Sequence, residues 1–265
     1  MFSRSRLVAV VAVLALGVFV TAAYATHSWG TYHWGRKANP FTVKLGDNVS
    51  SAWDAYLVGA SGDWSQSSVL DTSVVSGLTS PKYCRPTSGR VEVCSRGYGY
   101  NGWLGVASIW VSGSHIVQGT VKVNDTYFNT TTYNTPAWRK FVMCQEVGHT
   151  FGLDHQDENF SNPNLGTCMD YTSDPDGTLY GQLSNEHPNL HDYDQLETIY
   201  GHVDSITTVG QSVASARNHA DSDSDEEGPA KWGKEIRKSR DGRSSLYESD
   251  HGRGQKVFTF VLWTE

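Results

Sequence analysis

The run Gln145-Glu146-Val147-Gly148-His149-Thr150-Phe151-Gly152-Leu153-Asp154-His155 decides how this chain is read. Upstream of it, Thr135 can cap a helix that has Pro136 at its first position. Helical spacing carries that helix from Pro136 to about Leu153. Positions 145 and 149 then lie one turn apart on one face, so both side chains can reach a single ion. Glu146 is offset from them, close enough to take a proton from a water at the ion without closing the coordination shell. Gly152 accepts the left-handed conformation that ends helices, and the resulting turn returns His155 toward the helix. Gln145, His149 and His155 are therefore the candidate metal-holding residues and Glu146 the candidate general base. Three protein ligands leave a position for water, as a hydrolytic metal site requires.

This spacing resembles the extended zinc-protease signature HExxHxxGxxH, with Gln145 where the first His belongs. Farther on, Gly166-Thr167-Cys168-Met169-Asp170-Tyr171 is similar to a Met-turn, with Met169 as its methionine. On these two motifs the chain resembles the metzincin clan of zinc metalloproteases, in a matrixin or gametolysin-like form. The resemblance implies an α+β fold: a twisted mixed β-sheet with a motif helix and a C-terminal helix. It implies that Met169 lies beneath the metal site and that Tyr171 approaches the metal and helps stabilise an oxyanion. It implies a secreted endopeptidase that hydrolyses peptide bonds with metal-activated water. The implied cofactor is Zn²⁺, while an amide oxygen at position 145 also admits Cu²⁺ or another divalent ion. Some gametolysin relatives are similar in carrying Gln there. The partner would be an extended peptide or protein, paired to an edge strand before the motif helix, for which residues Ile116 to Val123 are the candidate. The alternative reading is a non-catalytic secreted binding protein of the same fold, with a decayed metal site.

Composition narrows the context. Arg4 and Arg6, an apolar run from Leu7 to Val20, and Ala23-Tyr24-Ala25 read as a signal peptide over residues 1–25. The run is short for a bilayer span, which needs roughly 20 residues. Export, an extracellular location and no stable membrane insertion after cleavage are expected, and the chain is expected to be a monomer. A net charge of −7 argues against nonspecific nucleic-acid binding. Four cysteines in an exported chain suggest two disulfides. Of three connectivities, Cys84–Cys94 with Cys144–Cys168 is favoured, the second tying the motif helix to the segment after it. Cys84 in Pro81-Lys82-Tyr83-Cys84-Arg85-Pro86 also faintly resembles a zinc-blocking propeptide cysteine, although it falls inside the expected catalytic domain.

The expected organisation is a catalytic domain over residues 26–204, an acidic flexible linker over 205–230 and a small β-rich tail over 231–265. Strands are predicted at Phe41–Leu45, Val69–Val75, Trp103–Val111 and Ile116–Val123, and helices at Asn48–Leu57 and Asn189–Tyr200. The tail is predicted to hold strands at Trp232–Ile236, Ser244–Tyr247 and Val257–Trp263. His27 and His33 read as parts of an aromatic N-terminal segment lying on the domain. Asn48, Asn124, Asn129 and Asn159 begin glycosylation sequons.

Overall fold

The computed structural model describes residues 26–210 and 228–264. The expected signal peptide, and residues 211–227 of the linker expected over 205–230, lie outside the described residues. The fold is α+β, a twisted mixed sheet carrying a few helices. The strands are β1 (His33–Trp34), β2 (Phe41–Asn48), β3 (Leu70–Ser76), β4 (Val91–Arg96), β5 (Trp103–Ser112), β6 (His115–Asn124), β7 (Lys234–Lys238), β8 (Ser244–Asp250) and β9 (Gln255–Trp263). The helices are α1 (Asp54–Trp64), α2 (Asp125–Phe128), α3 (Pro136–His149), α4 (Leu190–Ile199) and α5 (Pro229–Trp232). Among the described residues the sheet order is β3-β2-β4-β6-β5-β9-β8-β7, with β1 added parallel at the start of β6. The β3, β2, β4 and β6 strands are parallel, and β5 and all strands after it pair antiparallel.

Local sequence accounts for most of these elements. In β2, Phe41, Val43 and Leu45 face the core while Thr42 and Lys44 face solvent, the period-two pattern of a half-buried strand. In α3, the Thr135 side chain accepts from the Trp138 backbone N–H and Pro136 occupies the first turn. A cap of this kind contributes about 1 kcal/mol. Asn189 and Asp192 form a reciprocal capping box that starts α4.

Three predictions need correction. The first helix runs from Asp54 to Trp64, not from Asn48 to Leu57. Asn48 is still strand: its side chain donates to the Gly46 carbonyl and to Glu92 Oε2, and accepts from the Thr79 N–H. The helix passes Gly59 and Gly62 because Leu57, Ala60, Ser61 and Trp64 all face the core. Second, β4 was not foreseen, because Glu92 interrupts its apolar run; that carboxylate is buried against Arg90, 3.0 Å away. Third, residues Ile116 to Val123 are not an edge. They lie in β6, between β4 and β5, so their backbone groups are already paired.

The α1 and α3 helices pack together on the sheet around a core that includes Trp34, Trp53, Trp64, Phe141 and Phe151. Both expected disulfides form, Cys84–Cys94 and Cys144–Cys168, so Cys84 is not available to block a metal. The sequon residues Asn48 and Asn124 are buried and hydrogen-bonded, whereas Asn129 and Asn159 are exposed. The C-terminal strands form an antiparallel unit, with the first at Lys234–Lys238 and not Trp232–Ile236 because Trp232 closes α5, and β9 joins the unit to the main sheet by pairing with β5. Among the described residues no helix is long and apolar enough to cross a membrane.

Candidate metal centre

The motif residues come from three places. Gln145, Glu146 and His149 lie on the last turns of α3, and all three are buried. Thr150 and Phe151 continue the turn until Gly152, whose φ of +94° reverses the chain. A Cβ at Gly152 would stand 2.5 Å from the Tyr32 carbonyl oxygen, so the position demands glycine for space as well as for conformation. His155 then comes back against His149, with ring centroids 4.5 Å apart and the planes nearly perpendicular at 88°.

Each of the three candidate donors has its other polar atom committed elsewhere. The Gln145 Nε2 donates to the Cys168 carbonyl at 3.0 Å, which leaves Oε1 as the outward atom. The His149 Nδ1 lies 2.9 Å from the Leu153 carbonyl. A carbonyl only accepts, so Nδ1 carries the proton and Nε2 is left as a lone pair. The His155 Nδ1 faces Glu158 Oε1 at 3.1 Å, which orients its Nε2 in the same way. Gln145 Oε1, His155 Nε2 and Glu146 Oε2 are buried without a protein partner. Orphaned buried acceptors of this kind are costly, and a cation among them removes the cost. Hydrogen bonds of this kind would hold the three candidate donors in orientation toward an ion. The donor set fits a divalent ion such as zinc.

Burial raises the Glu146 carboxyl well above its ordinary value. The carboxylate lies against β5 at Gly105, where an added Cβ would meet Oε1 at 2.4 Å. Burial, followed by the neighbouring His155, lowers His149 well below the usual imidazole value, which keeps the ring neutral. Burial would raise Asp154 and Glu158, but a hydrogen bond from Arg237 to Asp154, one between His155 and Glu158, and the nearby positive charges bring both below the usual range.

The segment from Gly166 to Tyr171 brings Met169 under the helix. A Cβ at Gly148 would stand 2.7 Å from the Met169 sulfur and 2.6 Å from the Trp64 ring. Met169 is fully buried, and Trp64 donates from Nε1 to the Cys144 carbonyl at 3.1 Å. Tyr171 packs between His155, tilted at 38° with centroids 4.2 Å apart, and Phe160, stacked at 4.7 Å. Its hydroxyl is hydrogen-bonded to Ser244, and burial raises its pKa well above the ordinary phenol value.

Asp170, between Met169 and Tyr171, offers a pH test of this segment. Its Oδ2 accepts from the Leu165 N–H and from Asn185, yet burial pushes the carboxyl up to about 6. The folded chain keeps this proton while the unfolded chain, with an ordinary carboxyl near 3.9, releases it. Raising the pH from about 4 to about 6 therefore costs stability, and a pKa difference of about 2 corresponds to up to roughly 3 kcal/mol. In Asp170→Asn this loss is absent. Its stability relative to wild type, from urea midpoints, should rise by up to about 3 kcal/mol between about pH 4 and about pH 7. A constant difference across that range would contradict the assignment.

Residues that sequence reasoning did not place here come from the tail. Phe260 of β9 lies flat on His149, with centroids 4.2 Å apart and planes at 8°, and 6.3 Å from His155 edge-on. Arg237 of β7 reaches Asp154 with both terminal nitrogens and Glu158 from Nε at 3.3 Å. His27 touches the motif through its backbone, its carbonyl accepting from the Asp154 N–H at 2.5 Å, while its side chain pairs with Asp192. Position in the fold, not residue type, places the tail residues, so no local signal could have found them.

No protein-family model matches the chain, and no curated protein matches it. Among solved structures, it is similar to high choriolytic enzyme 1, a hatching-enzyme zinc protease from Oryzias latipes (medaka fish). The match has 11% identity over 65% of this chain and 96% of that one, with a TM-score of 0.37. It is also similar to myroilysin, with 12% identity, 67% and 87% coverage and a TM-score of 0.32.

Proposed function

We propose that this chain is a secreted metal-dependent endopeptidase of metzincin type. One observation carries the reading. Three side chains from α3 and the turn after it each have one polar atom anchored, which leaves Gln145 Oε1, His149 Nε2 and His155 Nε2 as acceptors for one cation. When bound there, a divalent ion would polarise the scissile carbonyl and make water a nucleophile at neutral pH.

The chain's own groups supply the rest. Glu146, placed beside this set and made a stronger base by burial, accepts in its ionised form a proton from the attacking water and passes it to the departing amine. Gly105 leaves room for that carboxylate beneath β5. Tyr171, packed against His155, is the phenol available to donate toward developing negative charge on the carbonyl oxygen. The substrate would be an extended peptide; β5 is paired to β6 on one side and β9 on the other, so a peptide strand could add along β5 only in the place β9 holds. Zinc is the proposed ion, and an oxygen donor at 145 leaves copper or another divalent ion as the competitor. The decisive test is Glu146→Gln, which should stop peptide cleavage and leave metal content unchanged; cleavage at the wild-type rate would remove Glu146 from the chemistry.

A further inference from the structure

We propose that His33, His115, His202 and Asp204 form a second, structural metal site, separate from the motif. The register of the fold assembles it. Where β1 runs parallel to β6, His33 stands opposite His115, and the chain leaving α4 adds His202 and Asp204. His115 Nε2 and His33 Nε2 lie 3.2 Å and 3.3 Å from Asp204 Oδ1. His202 Nε2 lies 3.2 Å from His33 Nε2 and 3.6 Å from the same Asp204 oxygen. Zinc bonds of about 2.0–2.1 Å to nitrogen and oxygen place the donors of a tetrahedron about 3.3–3.4 Å apart. Three of these separations, 3.2–3.3 Å, match that spacing; His33, His115 and Asp204 offer ligand atoms within 4.8 Å of one another, and His202 stands beside His33 and Asp204 as the fourth donor on the exposed side.

The hydrogen-bond pattern calls for a cation here. His33 Nδ1 lies 2.7 Å from the Thr31 carbonyl, so Nδ1 carries a proton and Nε2 is the ring atom turned toward Asp204. That atom faces a carboxylate oxygen at 3.3 Å and a second imidazole nitrogen at 3.2 Å, donors that one ion could share. The outer shell is built as well. Arg36 donates to Asp204 Oδ2 from Nη1 at 2.7 Å and from its backbone N–H at 3.2 Å, which presents Oδ1 to the histidines. Three imidazoles and a carboxylate suit Zn²⁺, and four protein donors leave no position for a reacting water. The ion would fasten the N-terminal segment and the chain beyond α4 to the start of β6.

The test is a zinc count on the full chain, stripped with chelator, reloaded with Zn²⁺ and freed of excess ion. The double variant His115→Ala/His202→Ala should bind one equivalent fewer than wild type. Co²⁺ loading should give the intense visible bands of a tetrahedral site in wild type and lose that contribution in the variant. His202 is largely exposed, so His202→Ala alone, with a native circular dichroism spectrum, serves as the fold-preserving control and should weaken zinc binding at least tenfold. Equal zinc content in wild type and the double variant would overturn the proposal, and so would a wild-type chain that takes up no zinc.

A different observation carries a second inference, which rests on the peptidase reading: we infer that the C-terminal strands hold the motif site closed in the intact chain. The β9 strand pairs antiparallel with β5 from Trp103↔Trp263 to Ser112↔Gln255, the place an extended substrate would take. Phe260 covers His149, Arg237 clamps the carboxylates beside His155, and Ser244 engages Tyr171. Trp103, Val106, Trp232, Tyr247 and Val261 pack into an apolar cluster that anchors the far face. The tail's strands join the domain covalently only through the residues between Gly210 and Gly228, so a cut there leaves the tail held by these contacts alone.

A reversible lock tests this. The Ser108 and Thr259 hydroxyls are cross-strand neighbours 3.0 Å apart, so Ser108→Cys/Thr259→Cys can join β5 to β9. A site-specific protease sequence placed between Gly210 and Gly228 allows the full chain to be cut. Binding of a fluorescent extended peptide, followed by anisotropy in the Glu146→Gln background, should be at least tenfold tighter in the cut, reduced protein than in the cut, oxidised one. Equal affinity in the two states, or binding in neither, would overturn the closure. Peptide hydrolysis by the same chain with Glu146 intact reads the peptidase proposal separately: tail-dependent binding without hydrolysis would sink that reading and leave the closure standing.

Discussion

Glu146→Gln is expected to lower peptide hydrolysis by about 10²–10⁴-fold, or roughly 2.7–5.5 kcal/mol of transition-state stabilisation, with bound metal unchanged. The substitution keeps the shape of the side chain. The space it occupies is tight, because the carboxylate lies against the backbone of β5 at Gly105, and a Gln amide fits that volume. What Gln lacks is the ability to take a proton. Glu146 Oε2 is buried without a protein partner, and burial raises the carboxyl well above its ordinary value. Both features suit a group that exchanges a proton with a transient water and not one that holds an ion pair. The measurement is kcat for an unstructured peptide, in intact protein and in protein cut between Gly210 and Gly228, alongside a metal count. Loss of metal together with activity would place Glu146 in the coordination shell, and activity at the wild-type level would exclude it from the reaction.

The motif helix was legible because its signals are local. Thr135 and Pro136 start it, Gly152 ends it, and the spacing from Gln145 to His155 fixes which side chains converge. The Asn189 capping box marks α4 in the same way. Strand neighbours are set by non-local pairing, which periodicity does not encode. Ile116 to Val123 alternates like any strand, and nothing in it says that β4 and β5 will flank it. The tail's strands were visible one by one, but the pairing of β9 with β5 and the placing of Phe260 on His149 depend on register across more than a hundred intervening residues. The same holds for His33. It reads as one aromatic-segment residue until parallel pairing puts it opposite His115. Gln145 is the sharpest case: sequence shows the missing imidazole, while the Cys168 carbonyl that turns its oxygen outward comes from a segment beyond the helix.

That anchored amide makes Gln145 the residue on which metal affinity should turn most. Structural zinc sites are worth about 10–16 kcal/mol over four ligands, so roughly 3 kcal/mol, or about 10²-fold in affinity, attaches to each. Gln145→Leu should weaken zinc binding at the motif by at least that factor. It removes Oε1 and also leaves the buried Cys168 carbonyl without its donor. Gln145→His should act in the opposite direction. An imidazole has a similar reach, its Nδ1–H can replace the donation to Cys168, and its Nε2 is a stronger zinc donor than an amide oxygen. A gain of about tenfold or more is expected, with selectivity moving toward zinc over oxygen-preferring ions. Competition titration with a chromophoric chelator measures both, in a His115→Ala/His202→Ala background that leaves the motif as the site being read. The two variants carry opposite signs, so the comparison separates a ligand from a bystander. A side chain that only packs on the Met-turn segment would lower affinity modestly in either form, and a flat or uniformly negative result would leave His149 and His155 without their third partner.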